Sequence, residues 1–363
     1  MPKKYDKLLL LVVIIISIFG IIMIYSASSI WAEYKFNDSF KFVKAQCAFF
    51  IMSLILVYIL SKINPKIYYE KANTILFICF ILLILVLIPG LGKIRNGSRS
   101  WFGIGGLGIQ PSEFMKLSLI IFTSKYLAKN DKDIKDIKKG ILPILGILML
   151  VFGLIMLEPD FGTGVVIVMT IVALLFVSGV KLSFFVKIGL VGLVGVVVLI
   201  IIAPYRLLRI LSFLNPWTDP LGSGFQIIQS LYAIGPGGLL GLGLGNSIQK
   251  HFYLPEPQTD FIFAIISEEL GFLGVIIVAG LFTTIIYQGF KIAINCEDKF
   301  GKYLAFGITF GLSFQAILNL MVVVGLIPVT GVTLPFLSYG GSSLLSSLLG
   351  MSILLNISKY NYK

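Results

Sequence analysis

Long apolar runs separated by short polar stretches fill most of the chain. A helix needs about 20 mainly apolar residues to cross the hydrocarbon core of a bilayer. The runs do not alternate apolar and polar residues, as the strands of a membrane barrel would. We therefore predict an all-α polytopic membrane protein with about ten transmembrane helices in a single domain, 1–363. The predicted helices span residues 8–30, 41–61, 73–91, 112–128, 140–157, 162–180, 184–203, 261–290, 303–327 and 341–357.

The first run could also be read as a signal peptide. Three lysines precede it, and Ser26-Ala27-Ser28 after it resembles a cleavage site. A signal peptide has a shorter apolar core, however, and is not followed by many further spans. An uncleaved first helix is the prediction.

Composition and charge support a membrane protein and set its orientation. The chain is 57% hydrophobic and 13% charged, with a mean hydropathy of +0.99, which excludes a soluble domain. With the N-terminus in the cytoplasm, 19 of the 29 lysines and arginines lie on the inner side. This bias follows the positive-inside rule and predicts that both termini are cytoplasmic. The net charge of +12 is thus explained by topology, and no nucleic-acid partner is predicted.

The arginines go against this bias, because all of them fall on the predicted outer side. An external anionic ligand would explain them, since guanidinium groups match phosphate geometry. Chance placement, or pairing with Asp160 and Asp219, is the alternative. The four residues are Arg95, Arg99, Arg206 and Arg209.

Two external segments are long. The first covers residues 93–111, and the second, 204–260, forms a large loop between helices 7 and 8. The second is too apolar to be fully solvated, so residues 225–234 are predicted to form a short helix on or in the outer membrane face. Long loops without their own structure are usually functional.

A second set of features follows that loop, in LPEPQTDFIFAIISEELG at 254–271. Thr259 and Asp260 offer side-chain oxygens for a helix start, and the eighth membrane helix would begin at Phe261. Glu268 and Glu269 would lie roughly 12–13 Å deeper in the membrane. Ionisable groups at that depth are candidate functional sites. The alternative is a structural role with Lys116, Gln315 or Asn319 as partner, which we favour for one glutamate, leaving the other open.

Other polar residues at membrane depth come in pairs that share a helix face. Glu113 and Lys116 are three residues apart, and Gln315 and Asn319 are four apart. Glu113 and Lys116 could form a self-neutralising ion pair or line a hydrated cavity that leaves the lysine available to an anion. Further on, residues 338–343, beginning with Ser338, could present backbone N–H groups at a helix start.

The remaining chemistry is restricted. The chain contains no HExxH, Walker or GxSxG motif, and its one histidine is His251, so metal-hydrolase and histidine-base mechanisms are disfavoured. An external carboxylate, Asp260, and the cations Arg99 and Lys116 suit a reaction in which an acid deprotonates a hydroxyl while cations hold a leaving phosphate.

Five stretches in order, NGSRSW, IQPSEFMKLS, EPDFGT, LPEPQTDFIFAIISEELG and PVTGVTLPFLSYGGSS, resemble the SEDS family of FtsW, RodA and SpoVE. The first and fourth are more similar to FtsW and SpoVE. The resemblance covers the whole chain. The resemblance implies a ten-span fold in the bacterial cytoplasmic membrane. It also implies peptidoglycan glycosyltransferase activity in division, elongation or sporulation. In that reaction, lipid II is polymerised on the outer face of the membrane and undecaprenyl diphosphate is released.

By motif, the resemblance places the essential loop aspartate at Asp260, the essential cations at Arg99 and Lys116, and the neighbouring acid at Glu113. Glu268, Glu269, Gln315, Asn319, Ser338, Arg206 and Arg209 remain secondary candidates. The implied partners are a class B penicillin-binding protein and other divisome or elongasome membrane proteins. No cofactor is certain; a divalent cation, Mg²⁺ or Mn²⁺, at the diphosphate would suit the chemistry. A lipid II flippase and a scaffold of the division machinery are the alternative functions.

Overall fold

The computed structural model describes residues 5–95, 97–104, 107–132, 134, 136–202 and 204–361. Helices account for most of this part of the chain, and a small sheet joins two of them. The elements are α1 (Lys7–Phe36), α2 (Lys41–Leu60), α3 (Lys66–Leu87), β1 (Lys93–Arg95), β2 (Ser98–Ile104), β3 (Leu107–Ile109), α4 (Pro111–Lys129), α5 (Leu142–Leu157), α6 (Phe161–Val177), α7 (Leu182–Ile202), α8 (Pro204–Leu214), α9 (Phe225–Ile234), α10 (Ile262–Asn295), α11 (Lys299–Val323) and α12 (Gly341–Asn361). A π-helical turn (Ile137–Ile141) leads into α5.

The helices confirm the prediction of a polytopic membrane protein. In the described part of the chain, eight of them are long and apolar enough to cross a membrane. The other two predicted spans correspond to α4, with 19 residues, and α6, with 17. Most predicted ends agree with the observed ends to within a few residues, and the largest differences are at α1, α3 and α10.

The centre of the bundle is α12. In its most apolar 18-residue stretch, 94% of the residues are buried. It packs against α1, α2, α4, α10 and α11. Small residues allow this close approach, as is typical between membrane helices: a Cβ placed on Gly341 would lie 2.1 Å from the ring of Phe49. On the outside of the bundle, α2, α3 and α7 expose large apolar side chains, which suits contact with lipid tails.

The start of α1 and the end of α12 lie on the same face. The backbone N–H of Asp6, at the start of α1, donates to Ser358 Oγ near the end of α12, at 3.2 Å. Followed from this face, the successive helices bring the β-sheet, the α5–α6 turn, the start of α10 and the α11–α12 connection to the opposite end of the bundle. We call that opposite end the far face.

The sheet at the far face is an addition to the all-α prediction. Its strands pair antiparallel in the order β1-β2-β3, with Ile94 opposite Arg99 and Gly103 opposite Gly108. Gly97, at φ +81°, makes the tight turn between the first two strands, because glycine tolerates positive φ. The segment therefore satisfies its backbone groups without a helix, and it covers the outer ends of α3 and α4.

The predicted short helix in the large loop is confirmed at α9, residues 225–234. The predicted helix cap before α10 is wrong. Phe261 occupies the N-cap position without a side-chain cap bond, and the Thr259 hydroxyl donates instead to the carbonyl of Glu256 at 2.8 Å. Such local hydroxyl-to-backbone bonds compete with capping.

Candidate active site

The segment that leads to Asp260 is fixed to the α11–α12 connection. The side chain of Gln258 is buried, and its carbonyl accepts from the N–H of Tyr339 at 2.8 Å. The hydroxyl of Ser338 donates to the carbonyl of Thr259 at 2.6 Å. Ser338 lies before the start of α12, so in this structure its hydroxyl ties two loops together; α12 itself begins at Gly341, within the predicted stretch 338–343.

Asp260 is half-buried at the far face. Its carbonyl accepts from Asn319 Nδ2 at 2.7 Å, and the same amide donates to the carbonyl of Val332, also at 2.7 Å. A Cβ built on Gly331 would lie 3.8 Å from Asp260 Oδ2. The carboxylate therefore lies against the backbone of residues 331–332, and Asn319 holds that backbone and the backbone of Asp260 in place.

Lys116 lies in the second turn of α4, in a protein-lined environment. Its Nζ is 2.8 Å from Glu113 Oε2, and the two side chains are only 13% and 8% exposed. Gln315 Oε1 accepts from the same Nζ at 2.7 Å. An ammonium group has three N–H donors; two of them face Glu113 and Gln315, so one is left over by these contacts.

Gln315 and Asn319 connect this lysine to the aspartate. The side-chain amide of Gln315 donates to the carbonyl of Thr333 at 3.0 Å, next to the carbonyl held by Asn319. Four residues along α11 correspond to roughly 6 Å. A single face of α11 thus contacts both the Lys116 side chain and the Asp260 backbone. The sequence spacing predicted that Gln315 and Asn319 share this face, but not what they contact.

Both interpretations of the Glu113–Lys116 pair agree with the structure. The ion pair is present, and a cavity bounded by Lys116 and Gln315 extends below it between α4, α6, α11 and α12, with Thr170, Ser346 and Ser347 among its lining. The volume that the centre of a water molecule can occupy in this cavity is about 40 Å³. About 10–15 Å³ of such volume is enough to hold one water molecule. The pair therefore lies beside space for a few waters.

Arg99 is half-buried in β2. Its Cγ would lie 3.0 Å from a Cβ placed on Gly92, so the side chain packs over the turn after α3. Among the described residues, neither Arg99 nor the acids Asp160 and Asp219 forms a salt bridge. The pairing that would have explained Arg99 structurally is therefore not observed. Arg206 and Arg209 lie in α8, but their side chains are outside the described residues.

Two acids in the α5–α6 turn belong to the surroundings of the site. The sequence analysis named Asp160 only as a possible partner of the arginines and did not single out Glu158. Asp160 accepts from Gln110 Nε2 at 2.9 Å and caps α6 through the N–H of Thr163. Burial raises the pKa of Asp160, and the nearby Glu113 adds to this effect. Glu158 is fully buried. Burial, and secondarily Asp160, raises its pKa to about 9.

The predicted partners of Glu268 and Glu269 are wrong. Neither carboxylate contacts Lys116, Gln315 or Asn319. Both are fully buried and accept hydrogen bonds from the end of the large loop, around Ser247 and Lys250. The sequence could not show this, because the partner loop is about 20 residues away along the chain.

Fold and site together define a polytopic membrane protein with a polar, half-buried centre at one membrane face. Comparison with known proteins gives the family. The model of the FtsW, RodA and SpoVE family, described as cell cycle proteins, matches residues 6–363. The chain is 52% identical to stage V sporulation protein E of Bacillus subtilis, over 98% of this chain and 97% of that protein. It is 44% identical to the probable peptidoglycan glycosyltransferase FtsW of Trichlorobacter lovleyi, over 98% and 93%.

Solved structures agree. One chain, from a peptidoglycan synthase complex that coordinates polymerization and crosslinking, matches with a TM-score of 0.79 at 32% identity, over 99% of both chains. The rod shape determining protein RodA of Thermus thermophilus matches with a TM-score of 0.74 at 28% identity, over 99% of this chain and 98% of RodA. The chain belongs to the FtsW/RodA/SpoVE family.

Proposed function

We propose that this protein is a peptidoglycan glycosyltransferase that polymerises lipid II at the far face, which is the outer face of the bacterial cytoplasmic membrane. Family membership and the activity of its FtsW relatives support this function. The single observation that carries it is the joining of Asp260 and Lys116 by Gln315 and Asn319. One acid and one available cation, both held by the same face of α11, are the minimum set for deprotonating a hydroxyl and holding a leaving diphosphate.

The proposed reaction begins at Asp260. Its carboxylate takes the proton from the 4-hydroxyl of the acceptor sugar as that oxygen attacks C1 of the donor sugar. The bond from C1 to the diphosphate oxygen breaks, and undecaprenyl diphosphate leaves. Lys116 stabilises the departing charge with its remaining N–H, and Arg99 is the second proposed cation. The configuration at C1 inverts, because no second nucleophile forms a covalent intermediate.

A divalent cation at the diphosphate remains part of the proposal. Among the described residues, no three metal-ligating side chains converge. Mg²⁺ is commonly bound by one or two carboxylates together with substrate phosphates and water. Glu113, which pairs with Lys116, and Asp160, which accepts from Gln110 and Thr163, are the nearby carboxylates that would have to hold the ion. The ion would act as a Lewis acid on the diphosphate.

The partner and the orientation complete the proposal. The synthase complex among the structural relatives supports assembly with a class B penicillin-binding protein, and other divisome or elongasome proteins would join in division, elongation or sporulation. The lysine distribution supports cytoplasmic termini. The start of α1 and the end of α12, which lie on one face, are consistent with this orientation.

The test is polymer synthesis by purified protein in detergent, supplied with lipid II. Asp260→Asn should remove polymerisation, whereas Asp219→Asn, at an exposed carboxylate of the same large loop, should retain it. Retained polymer in Asp260→Asn would refute the role of the aspartate. In vesicles, movement of lipid II across the bilayer without any polymer would instead identify a flippase. Addition of the penicillin-binding protein to the same assay tests whether the partner is required.

A further inference from the structure

Asp260 is carried on a short helix that is not continuous with the rest of α10. Gly271 has φ +62° and ψ −155°, which breaks the helical path inside the apparent 34-residue element. Residues 262–270 therefore form a separate half-helix, with Asp260 just before its first residue. A side chain at Gly271 would be strained, and its Cβ would lie 2.4 Å from the backbone nitrogen of Gly241.

The large loop replaces the helical hydrogen bonds lost at this break. The freed carbonyls of Glu268 and Glu269 accept from loop N–H groups, and the N–H groups beyond the break donate back to loop carbonyls. The four bonds are Leu242 N to Glu268 O, 2.9 Å; Gly243 N to Glu269 O, 2.9 Å; Phe272 N to Gly238 O, 2.9 Å; and Leu273 N to Leu239 O, 3.1 Å. The loop thus bridges the two halves of α10.

The Glu268 carboxylate holds the next part of the same loop. It accepts from Ser247 Oγ at 2.5 Å, from the N–H of Ile248 at 2.9 Å and from the N–H of Gln249 at 3.4 Å. Three donors around a fully buried carboxylate fix a turn of the loop on the end of the half-helix.

The Glu269 carboxylate adds an ion pair. Lys250 Nζ lies 3.1 Å away, and the two side chains are only 4% and 0% exposed. Ser26 Oγ, from α1, donates to the same carboxylate at 2.6 Å. Lys250 Nζ also donates to the carbonyl of Gly245. We call Ser247, Lys250, Glu268 and Glu269 the anchor cluster.

Helix stability does not explain these acids. Carboxylates near the C-terminal end of a helix are disfavoured by the helix dipole, and a buried ion pair seldom gains more than its desolvation costs. The half-helix is roughly 13 Å long at 1.5 Å per residue, so a tilt of about 10° at Gly271 would move Asp260 by roughly 2 Å. A misplacement of about 1 Å can cost about 100-fold in rate.

We propose that the anchor cluster positions Asp260. It does so by fixing the C-terminal end of the half-helix 262–270, whose N-terminal end follows Asp260. The cluster itself touches no substrate. This inference rests on the proposed polymerase function for its activity readout, but its structural part, the seating of the loop on the half-helix, can be measured without lipid II.

Glu268→Gln tests the proposal, because a glutamine would turn an N–H₂ group toward the loop donors. Hydrogen exchange should accelerate about tenfold or more in peptides covering 238–260 and stay unchanged in α11 and α12. With lipid II, kcat should fall about 100-fold while KM stays within about threefold. Ser17→Ala is the matched control: it removes a buried serine hydroxyl that donates to the carbonyl of Val13 within α1, away from the anchor cluster, so both readouts should stay within about twofold of the wild-type protein.

Ser247→Ala is the second variant, since it removes loop contacts without leaving a buried charge unpaired. It should move both readouts in the same direction as Glu268→Gln, by a smaller factor. Unchanged exchange in the loop peptides, or accelerated exchange with an unchanged kcat, would overturn the proposal. Absence of polymer from the wild-type protein would count against the proposed function alone, and the exchange data would still decide whether the loop is seated by the cluster.

Discussion

Replacing Glu158 by glutamine should stabilise the protein, and more so as the pH rises. The carboxyl group is fully buried in the α5–α6 turn, and neither of its oxygens has a hydrogen-bond partner within the described structure. Burial, then the neighbouring Asp160, raises its pKa to about 9 from the ordinary glutamate value of 4.5. The folded protein therefore keeps a proton on Glu158 at neutral pH that the unfolded chain releases.

The sign and size of the effect follow from that difference. Stability rises with pH only where the unfolded state binds more protons; here the folded state binds more. Glu158 therefore costs the folded protein no stability below about pH 4.5, and its cost in free energy of unfolding increases as the pH rises to about 9. At about 1.4 kcal/mol per pH unit, its cost is about 1 kcal/mol at pH 5.5 and about 5 kcal/mol at pH 8.5. Glutamine is neutral at both values and avoids this cost.

The assay is thermal unfolding of the purified protein in detergent at pH 5.5 and 8.5. Glu158→Gln should raise Tm at pH 8.5 by several degrees more than at pH 5.5, since about 1 kcal/mol shifts Tm by roughly 2–4 °C in proteins of 150–250 residues. Glu70→Gln is the control, because Glu70 is exposed; it should shift Tm equally at both values. An equal shift for Glu158→Gln, or a loss of stability at high pH, would mean that Glu158 is ionised and partnered.

Two further substitutions test the centre of the site. Lys116→Met should reduce polymerisation by at least about 100-fold. It should also destabilise the protein by about 3–5 kcal/mol, because it leaves Glu113 buried and unpaired. Adding Glu113→Gln should restore Tm but not polymerisation, and recovery of both would contradict the cationic role. Asn319→Leu removes the hydrogen-bond donor to the carbonyls of Asp260 and Val332. Each unsatisfied carbonyl should cost about 1–3 kcal/mol of stability, so Tm and kcat should both fall. An unchanged kcat would show that the bond from Asn319 to Asp260 does not position the aspartate.

The sequence predicted the membrane helices well because their signal is local. A run of about 20 apolar residues has few alternatives to a membrane span. The same logic made Asp260, Glu113 and Lys116 candidate site residues, since charged groups in apolar surroundings need a reason to be there. The spacing of Gln315 and Asn319 correctly placed both on one face of α11. Their common role, in holding the 332–333 backbone, needed the structure.

What the sequence could not predict depends on contacts between distant segments. The sheet at 93–109 is built from strands of three and seven residues, too short for a clear alternation. The break at Gly271 lies within an apolar helix pattern where glycine is common. The partners of Glu268 and Glu269 come from a loop whose path is set by that break. The buried state of Glu158 depends on how the α5–α6 turn meets β2, whose Ser98 hydroxyl donates to the carbonyl of Glu158.

The irregular backbone of this protein is concentrated where its proposed chemistry lies. The β-sheet and the non-helical connection at 324–340 lie at the far face, and the break at Gly271 lies one half-helix below it. Non-helical backbone is tolerated at membrane depth only where it is buried in protein or lines a polar cavity. Here its groups are satisfied by buried side chains, with Asn319 serving two carbonyls and Glu268 three donors. The polar side chains that make this backbone possible thus also fix Asp260 and Lys116 in place, which explains why so many buried polar residues surround so small a reactive centre.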